Sequence, residues 1–338
     1  MIARRRMKNP ISTIKENFVW KDFWKVFLPV LLAATLLFVA LGFGLRELGG
    51  VRLFSGTHNL MEELNVIVDP GSPFYEEFQE AKRMNVLLVG INEGLTDVIM
   101  VASMDLKNKQ VDLISVPRDT NYPRKGRNLG GQKINAVHRD EGIVGLATAV
   151  SDVLLGMPIH YYAVVDYEGI KTMVDAIGGV PIDVEFYMHY EDPRATPPLY
   201  IDIEEGYQVL DGEKAVQYIR FRKGSGGSQG YREGDIGRIG TQQKFMKAAF
   251  DQGLEHGIVK TAKVVSQNVD SDIDVKFATR LARLAVGMDG GDFSTYMVPG
   301  NSGPIGELSF WHANARDTEV MIREIYGMNP EEEEDNPS

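Results

Sequence analysis

Residues 85–116 read NVLLVGINEGLTDVIMVASMDLKNKQVDLISV, and three apolar runs inside this stretch decide the fold. Asn85 to Gly90 is too short and too uniformly apolar for an amphipathic helix and reads as a fully buried strand. Val98 to Met104 reads as a second strand, and Val111 to Val116 as a third that Pro117 stops. Downstream, apolar periodicity predicts a helix from about Ile143 to Leu155, a strand at His160 to Val165, and a helix over Tyr167 to Ile177 closed by Gly178 and Gly179. A strand at Val180 to Val184 follows. Later come a short helix near Gly212 to Gln217, a long one from about Gly237 to Gln252, and others near Lys276 to Val286 and Asp317 to Tyr326. Strands mixed with helices of about 10 to 15 residues point to a layered α/β or α-β-α domain.

Upstream, Arg46 to about Glu80 is punctuated by Gly49, Gly50, Pro70, Gly71 and Pro73 and reads as a stalk packed on the domain edge. Before it, Val26 to Leu45 (VFLPVLLAATLLFVALGFGL) runs without a charge. That length crosses a hydrocarbon core of about 30 Å as a helix. Pro29 lies in the first turn, where proline is tolerated. Seven basic residues against Glu16 and Asp22 precede the run, which keeps the N-terminus cytoplasmic. A cleaved signal would have a shorter apolar region and a small-residue site, of which Ala40-Leu41-Gly42 is only a faint version, so a retained anchor is expected.

The chain carries a net charge of -11, and removing the basic flank leaves 29 basic and 45 acidic residues in the exported part. Nonspecific nucleic-acid binding is therefore excluded. The absence of cysteine excludes disulfides, thiolate metal sites and cysteine nucleophiles. The six histidines show no metal spacing, no Walker or G-x-G-x-x-G pattern occurs, and Gly226-Gly227-Ser228-Gln229-Gly230 lies in a glycine-rich basic loop rather than on a strand-to-helix elbow.

Residues 217–243, QYIRFRKGSGGSQGYREGDIGRIGTQQ, carry the chemistry. The opening reads as a strand with Tyr218, Arg220 and Arg222 on one face. After the Gly-rich connection, Asp235 can cap a helix on which Arg238 and Gln242, four apart, share a face. Guanidinium forks converging beside a helix N-terminus suit a phosphate or pyrophosphate. Arg118 and Asp119 follow the third strand, where α/β folds place ligands. Lys133 stands in a Lys-Ile-Asn run, and Asn92 and Asp97 follow the first strand.

The order NVLLVG, TD, SVPRDT, KIN, LLGMPIHYYAVVDYEGIKTMVDAIGGVPIDV, GYQVLDGEKAVQYIRFR and GDIGRIGTQQK, over roughly Asn85 to Ala248, resembles the LytR-CpsA-Psr family. The resemblance implies an α/β fold, a three-layer α-β-α sandwich with a central mixed sheet, preceded by one transmembrane helix. On that reading residues 1–25 are a cytoplasmic basic segment, 26–45 the anchor, 46–80 a juxtamembrane stalk, 81–328 the extracytoplasmic domain and 329–338 an acidic disordered tail. Family members transfer a glycopolymer from a polyprenyl pyrophosphate carrier to a peptidoglycan hydroxyl as a phosphodiester, and some hydrolyse polyprenyl pyrophosphates.

By matching motif, Arg118, Lys133, Arg220, Arg222, Arg238 and Gln242 stand where the family holds the pyrophosphate. Asn92 and Asp97 stand where it binds magnesium or manganese. Asp97, Arg118, Asp119 and Arg222 are the implied catalytic set, with Asp97 or Asp119 as the base. This chain departs from the pattern in having Asn92 for an aspartate, Leu95 for an arginine and Thr241 for an arginine, and the loop between Asn92 and Asp97 is commonly longer in the family. Glu93 is a nearby carboxylate, and Arg124, Lys125 and Arg127 are nearby cations. The alternative reading is a catalytically weakened binding or scaffold protein for lipid pyrophosphate or glycan in the cell envelope.

Overall fold

The computed structural model describes residues 68, 70–81, 83–92, 94–105, 107–194, 198–225, 230–231, 235–256, 264–265, 267–273 and 293–328. The expected membrane helix at Val26 to Leu45, the helix near Lys276 to Val286 and the acidic tail lie outside them. Among the described residues no helix is long and apolar enough to cross a membrane.

The three apolar runs form the middle of a mixed sheet: β1 (Arg83–Asn92), β2 (Leu95–Asp105) and β3 (Gln110–Ser115) are joined as antiparallel neighbours. β4 (Tyr161–Asp166) returns parallel to β1, after the helix α2 (Val137–Val153). The short β9 (Asp270–Ser271) and the parallel β10 (Phe293–Met297) complete the order β10-β3-β2-β1-β4-β9. Side chains alternate between two buried faces. Leu87, Val89, Ile99, Val101, Ile114 and Tyr162 pack with Ile143, Leu146, Val150, Met321 and Ile322. Val86, Met100, Ala102, Val111 and Leu113 face the other way, against Met246 and Phe250 of a long helix, α5 (Asp235–His256). Covering both faces explains why these strands read as unbroken apolar runs rather than alternating ones.

Part of the segment read as a stalk belongs to the first of these cores. Val68, Phe74 and Phe78 are buried in it, the latter two at the start of and within α1 (Tyr75–Glu80). The helix α2 begins six residues before the predicted Ile143, and it is interrupted at Gly142 (φ 72°, ψ -169°); the regular run starts at Ile143.

A second, smaller lobe packs around α3 (Tyr167–Ala176), β5 (Val180–Val184), β6 (Met188–Asp192), β7 (Leu199–Ile203), β8 (Gly206–Leu210) and α4 (Gly212–Arg220). β5 pairs with β8 and β6 with β7, each pair antiparallel. Gly178 and Gly179 leave α3 with φ of 84° and 89°, and a Cβ on Gly179 would sit 2.6 Å from Val209 Cγ1, so this connection requires glycine.

One expectation is overturned here. Gln217 to Arg220 is not strand but the last turn of α4, with Phe221 extended beyond it. Asp211 caps that helix by accepting the Lys214 N–H at 2.8 Å, and Ala215, Val216, Tyr218 and Ile219 are buried at helical spacing. Tyr218 consequently points into the lobe's core and does not share a strand face with Arg220 and Arg222. At the C-terminal end a hairpin of β11 (Gly300–Ile305) and β12 (Leu308–Ala313) leads into α6 (Ala315–Tyr326), capped by Asn314.

Candidate pyrophosphate and metal site

The site lies where β1, β3 and β4 end and β2 begins, beside the smaller lobe. Asp97 owes its position to a bulge. Gly90 pairs with Val98 and Ile91 with Thr96, which leaves Asp97 as the extra residue of β2 without a Cα partner on β1. A bulge of this kind re-aims the side chain it carries. The Arg118 guanidinium donates to Asp97 Oδ1 at 2.5 Å, and the Tyr167 hydroxyl donates to Asp97 Oδ2 at 2.6 Å.

Arg118 and Asp119 are fixed by their backbone. Thr120 folds back to the Pro117 carbonyl with both its N–H (2.9 Å) and its hydroxyl (2.6 Å). Residues 119–122 then bond on one side to Trp311 of β12 and on the other to Gln132 and Ile134. That second neighbour carries Lys133, whose ammonium meets Asp119 Oδ1 at 3.0 Å and lies 5.2 Å from the centre of the Phe310 ring. Two cation–carboxylate pairs therefore stand close together in sequence and in the same strand-end region.

Tyr167 joins the two lobes electrostatically. It opens α3 directly after β4, and Asp166 caps that helix by accepting the Gly169 N–H at 2.7 Å. The Arg220 guanidinium, at the end of α4, sits 4.8 Å from the centre of the Tyr167 ring. Burial pushes the Tyr167 phenol well above its ordinary range, the charge and hydrogen bond of Asp97 push it the same way, and Arg220 and Arg238 act against them. The phenol thus stays a donor. Sequence reasoning missed this residue, since a tyrosine opening a helix carries no signature of its own.

Arg238 and Gln242 are both buried on one face of α5, as their spacing predicts. Gln242 donates to the Ile219 carbonyl at 3.2 Å, and the neighbouring Gln243 donates to Ser115 Oγ at 3.0 Å and to the Tyr296 carbonyl at 3.2 Å. The helix thereby ties the end of α4 to the end of β3. The Asp235 side chain lies outside the described residues. Arg222 is exposed, two residues past the end of α4.

On the metal side, Asn92 ends β1 opposite Leu95, across a turn in which Gly94 has φ 82°. Of the nearby cations, Arg124 is committed elsewhere: it pairs with Asp140 at 2.9 Å and Glu141 at 2.5 Å. Arg139 instead lies over the turn, its Cγ 3.4 Å from where a Cβ on Gly94 would be, while its Nε meets Asp140 at 3.0 Å. Among the described residues no group of three or more His, Asp or Glu gathers as a metal cage. The donors fit an ion completed by substrate: a carboxylate offers about four acceptor positions, Asp97 uses one per oxygen, and magnesium commonly takes one or two carboxylates plus phosphate oxygens.

A LytR_cpsA_psr family model matches residues 59–325. The chain belongs to the LytR_cpsA_psr family. Polyisoprenyl-teichoic acid–peptidoglycan teichoic acid transferase TagV of Bacillus subtilis is 28% identical to this member of the family over 289 residues, covering 80% of this chain and 70% of TagV. The TagU transferase of Oceanobacillus iheyensis is 25% identical over 265 residues, covering 74% and 77%. The crystal structure of B. subtilis TagV superposes with a TM-score of 0.59 at 26% identity, covering 74% of this chain and all of that one. A structure of TagT bound to LI-WTA shares the fold, with a TM-score of 0.57 at 20% identity over 74% of this chain and 91% of TagT.

Proposed function

We propose that this chain is a membrane-anchored phosphotransferase that moves a glycopolymer from a polyprenyl pyrophosphate carrier to a hydroxyl of peptidoglycan, with hydrolysis of polyprenyl pyrophosphate as a side reaction. The names of its transferase relatives support the reaction class. The observation that carries it is the contact chain Arg118–Asp97–Tyr167–Arg220, which aligns cations from both lobes around one carboxylate. Val26 to Leu45 would anchor the chain, with the N-terminus cytoplasmic and the domain outside.

In this reaction the acceptor oxygen attacks the phosphorus bonded to the glycan. The phosphoanhydride bond breaks, polyprenyl phosphate leaves, and the hydroxyl proton passes to Asp97 or Asp119. Arg118, Lys133, Arg220, Arg222 and Arg238 hold the pyrophosphate, and their charge is worth most on the oxygens where negative charge grows. Gln242 positions the end of α4 through the Ile219 carbonyl. Asp97 and Asn92 would hold magnesium or manganese, which would neutralise charge on the phosphate groups when bound.

The test is release of phosphate when the full chain meets polyprenyl pyrophosphate and magnesium. Arg222→Ala is expected to lower turnover by about a hundredfold, the scale of a lost oxyanion contact. No turnover by the unmodified chain, or equal turnover by the variant, refutes the reading. A second reading, a binding or scaffold protein, is favoured by the engagement of both Asp97 oxygens; tight lipid pyrophosphate binding that is indifferent to magnesium, without product, would establish it.

A further inference from the structure

The β6–β7 hairpin turns one face inward and leaves the other to solvent. Met188, Ile201 and Ile203 are buried in the smaller lobe. Outward stand His189 and Glu191 on β6, and Tyr200 and Asp202 on β7, with His189 opposite Asp202 and Glu191 opposite Tyr200. Tyr187, just before β6, lies nearly parallel to the His189 ring (10°, centroids 5.9 Å) and donates to Asp202 Oδ1 at 2.8 Å. Tyr187 and Tyr200 are 42% and 56% exposed, so both rings are open to a ligand. Flat rings interleaved with carboxylates are the equipment for a sugar chain: ring faces take the apolar C–H faces of pyranoses, and carboxylates accept from their hydroxyls.

Position and charge select which sugar chain. The hairpin is bonded on both strands to the segment bearing Arg220 and Arg222: the Asp202 N–H donates to Gln217 Oε1 at 3.1 Å, and the Glu191 N–H to Ser225 Oγ at 2.8 Å. The face therefore adjoins the pyrophosphate grip. Its full charges, Glu191 and Asp202, are both negative and so repel a phosphate-rich polymer while accepting hydroxyl donors from an uncharged one. We propose that this face is the binding platform for the hydroxyl-bearing acceptor glycan, an inference that rests on the phosphotransferase reading.

Calorimetric titration of the full-length chain in detergent tests it, with a phosphate-free N-acetylhexosamine tetrasaccharide in one arm and poly(glycerol phosphate) in the other. The tetrasaccharide is expected to bind saturably, with affinity reduced about tenfold in Tyr187→Ala/Tyr200→Ala and retained in Tyr200→Phe, which keeps the ring. Equal thermal melting of the three proteins secures the comparison. The inference is overturned if the tetrasaccharide fails to bind, if the double variant binds it as the unmodified chain does, if poly(glycerol phosphate) binds equally well, or if the double variant loses only self-association. Phosphate release from polyprenyl pyrophosphate, measured alongside, separates the proposals: release without tetrasaccharide binding removes the platform alone, and binding without release removes the phosphotransferase reading alone.

Discussion

At the scale of single residues, Tyr167 does two jobs with two parts of one side chain. Its hydroxyl holds Asp97 Oδ2, and its ring supports the Arg220 guanidinium. Tyr167→Phe removes the first and keeps the second. A hydrogen bond to a charged group is worth roughly 1.5–3 kcal/mol, so this variant is expected to lose about tenfold or more in kcat with little change in KM for the lipid pyrophosphate. Tyr167→Leu also removes the ring and should raise KM several-fold beyond that, as a lost cation–π contact of about 0.5–2 kcal/mol implies. Steady-state kinetics of the two variants separates the roles. None of this was legible in the sequence. The placement of Arg118 after a strand and of Arg238 and Gln242 on one helix face was legible, because strand ends and helical spacing can be read from the chain, whereas Lys133 was singled out only by the family resemblance. A tyrosine that bridges two lobes does so only through a contact distant in the chain.

At the scale of elements, the packing of α4 on α3 sets where Arg220 stands. The contact is made at Gly212, where a Cβ would lie 2.4 Å from the Lys171 carbonyl oxygen, a backbone atom that cannot move aside. Gly212→Ala is expected to cost about 1–3 kcal/mol by overpacking and, by pushing α4 off α3, to weaken lipid pyrophosphate binding. Thermal melting and titration read the two effects. The central strands were legible because burial on both faces leaves an unbroken apolar run. The misread element was Gln217 to Arg220: Arg220 and Arg222 stand two apart, as on a strand, but Ala215, Val216 and Ile219 follow the helical period, and burying them prevailed. The strands β6, β7 and β8 escaped notice because each is short and half exposed, whereas β5 was expected at Val180–Val184, where it stands. The bulge at Asp97 was hidden as well, since one extra residue in a strand leaves no mark on composition.

At the scale of the whole molecule, His160 makes stability depend on pH. Burial holds its imidazole down at about 4, and its Nδ1 accepts the Asn85 N–H at 3.1 Å, which requires an unprotonated nitrogen. Unfolded, the ring titrates near 6.5, so between these values the unfolded chain binds more protons than the folded one. Stability from this group is complete above about pH 6.5 and drains away as pH falls toward 4, by on the order of 2–3 kcal/mol. His160→Gln should flatten that part of a denaturant-midpoint profile; an unchanged slope would show that another group is responsible. The long helix α5 has a different global consequence. It reaches Ile219 through Gln242, Ser115 and Tyr296 through Gln243, the Asp183 carbonyl through Lys244 and the Ile177 carbonyl through Gln252. The small lobe cannot part from the sheet without breaking bonds to α5, a helix that is itself bonded to the sheet. Amide protons of β5 and β8 should therefore exchange through the same cooperative opening as those of β1, at one common free energy, and a hinge between the lobes has no slack in which to work.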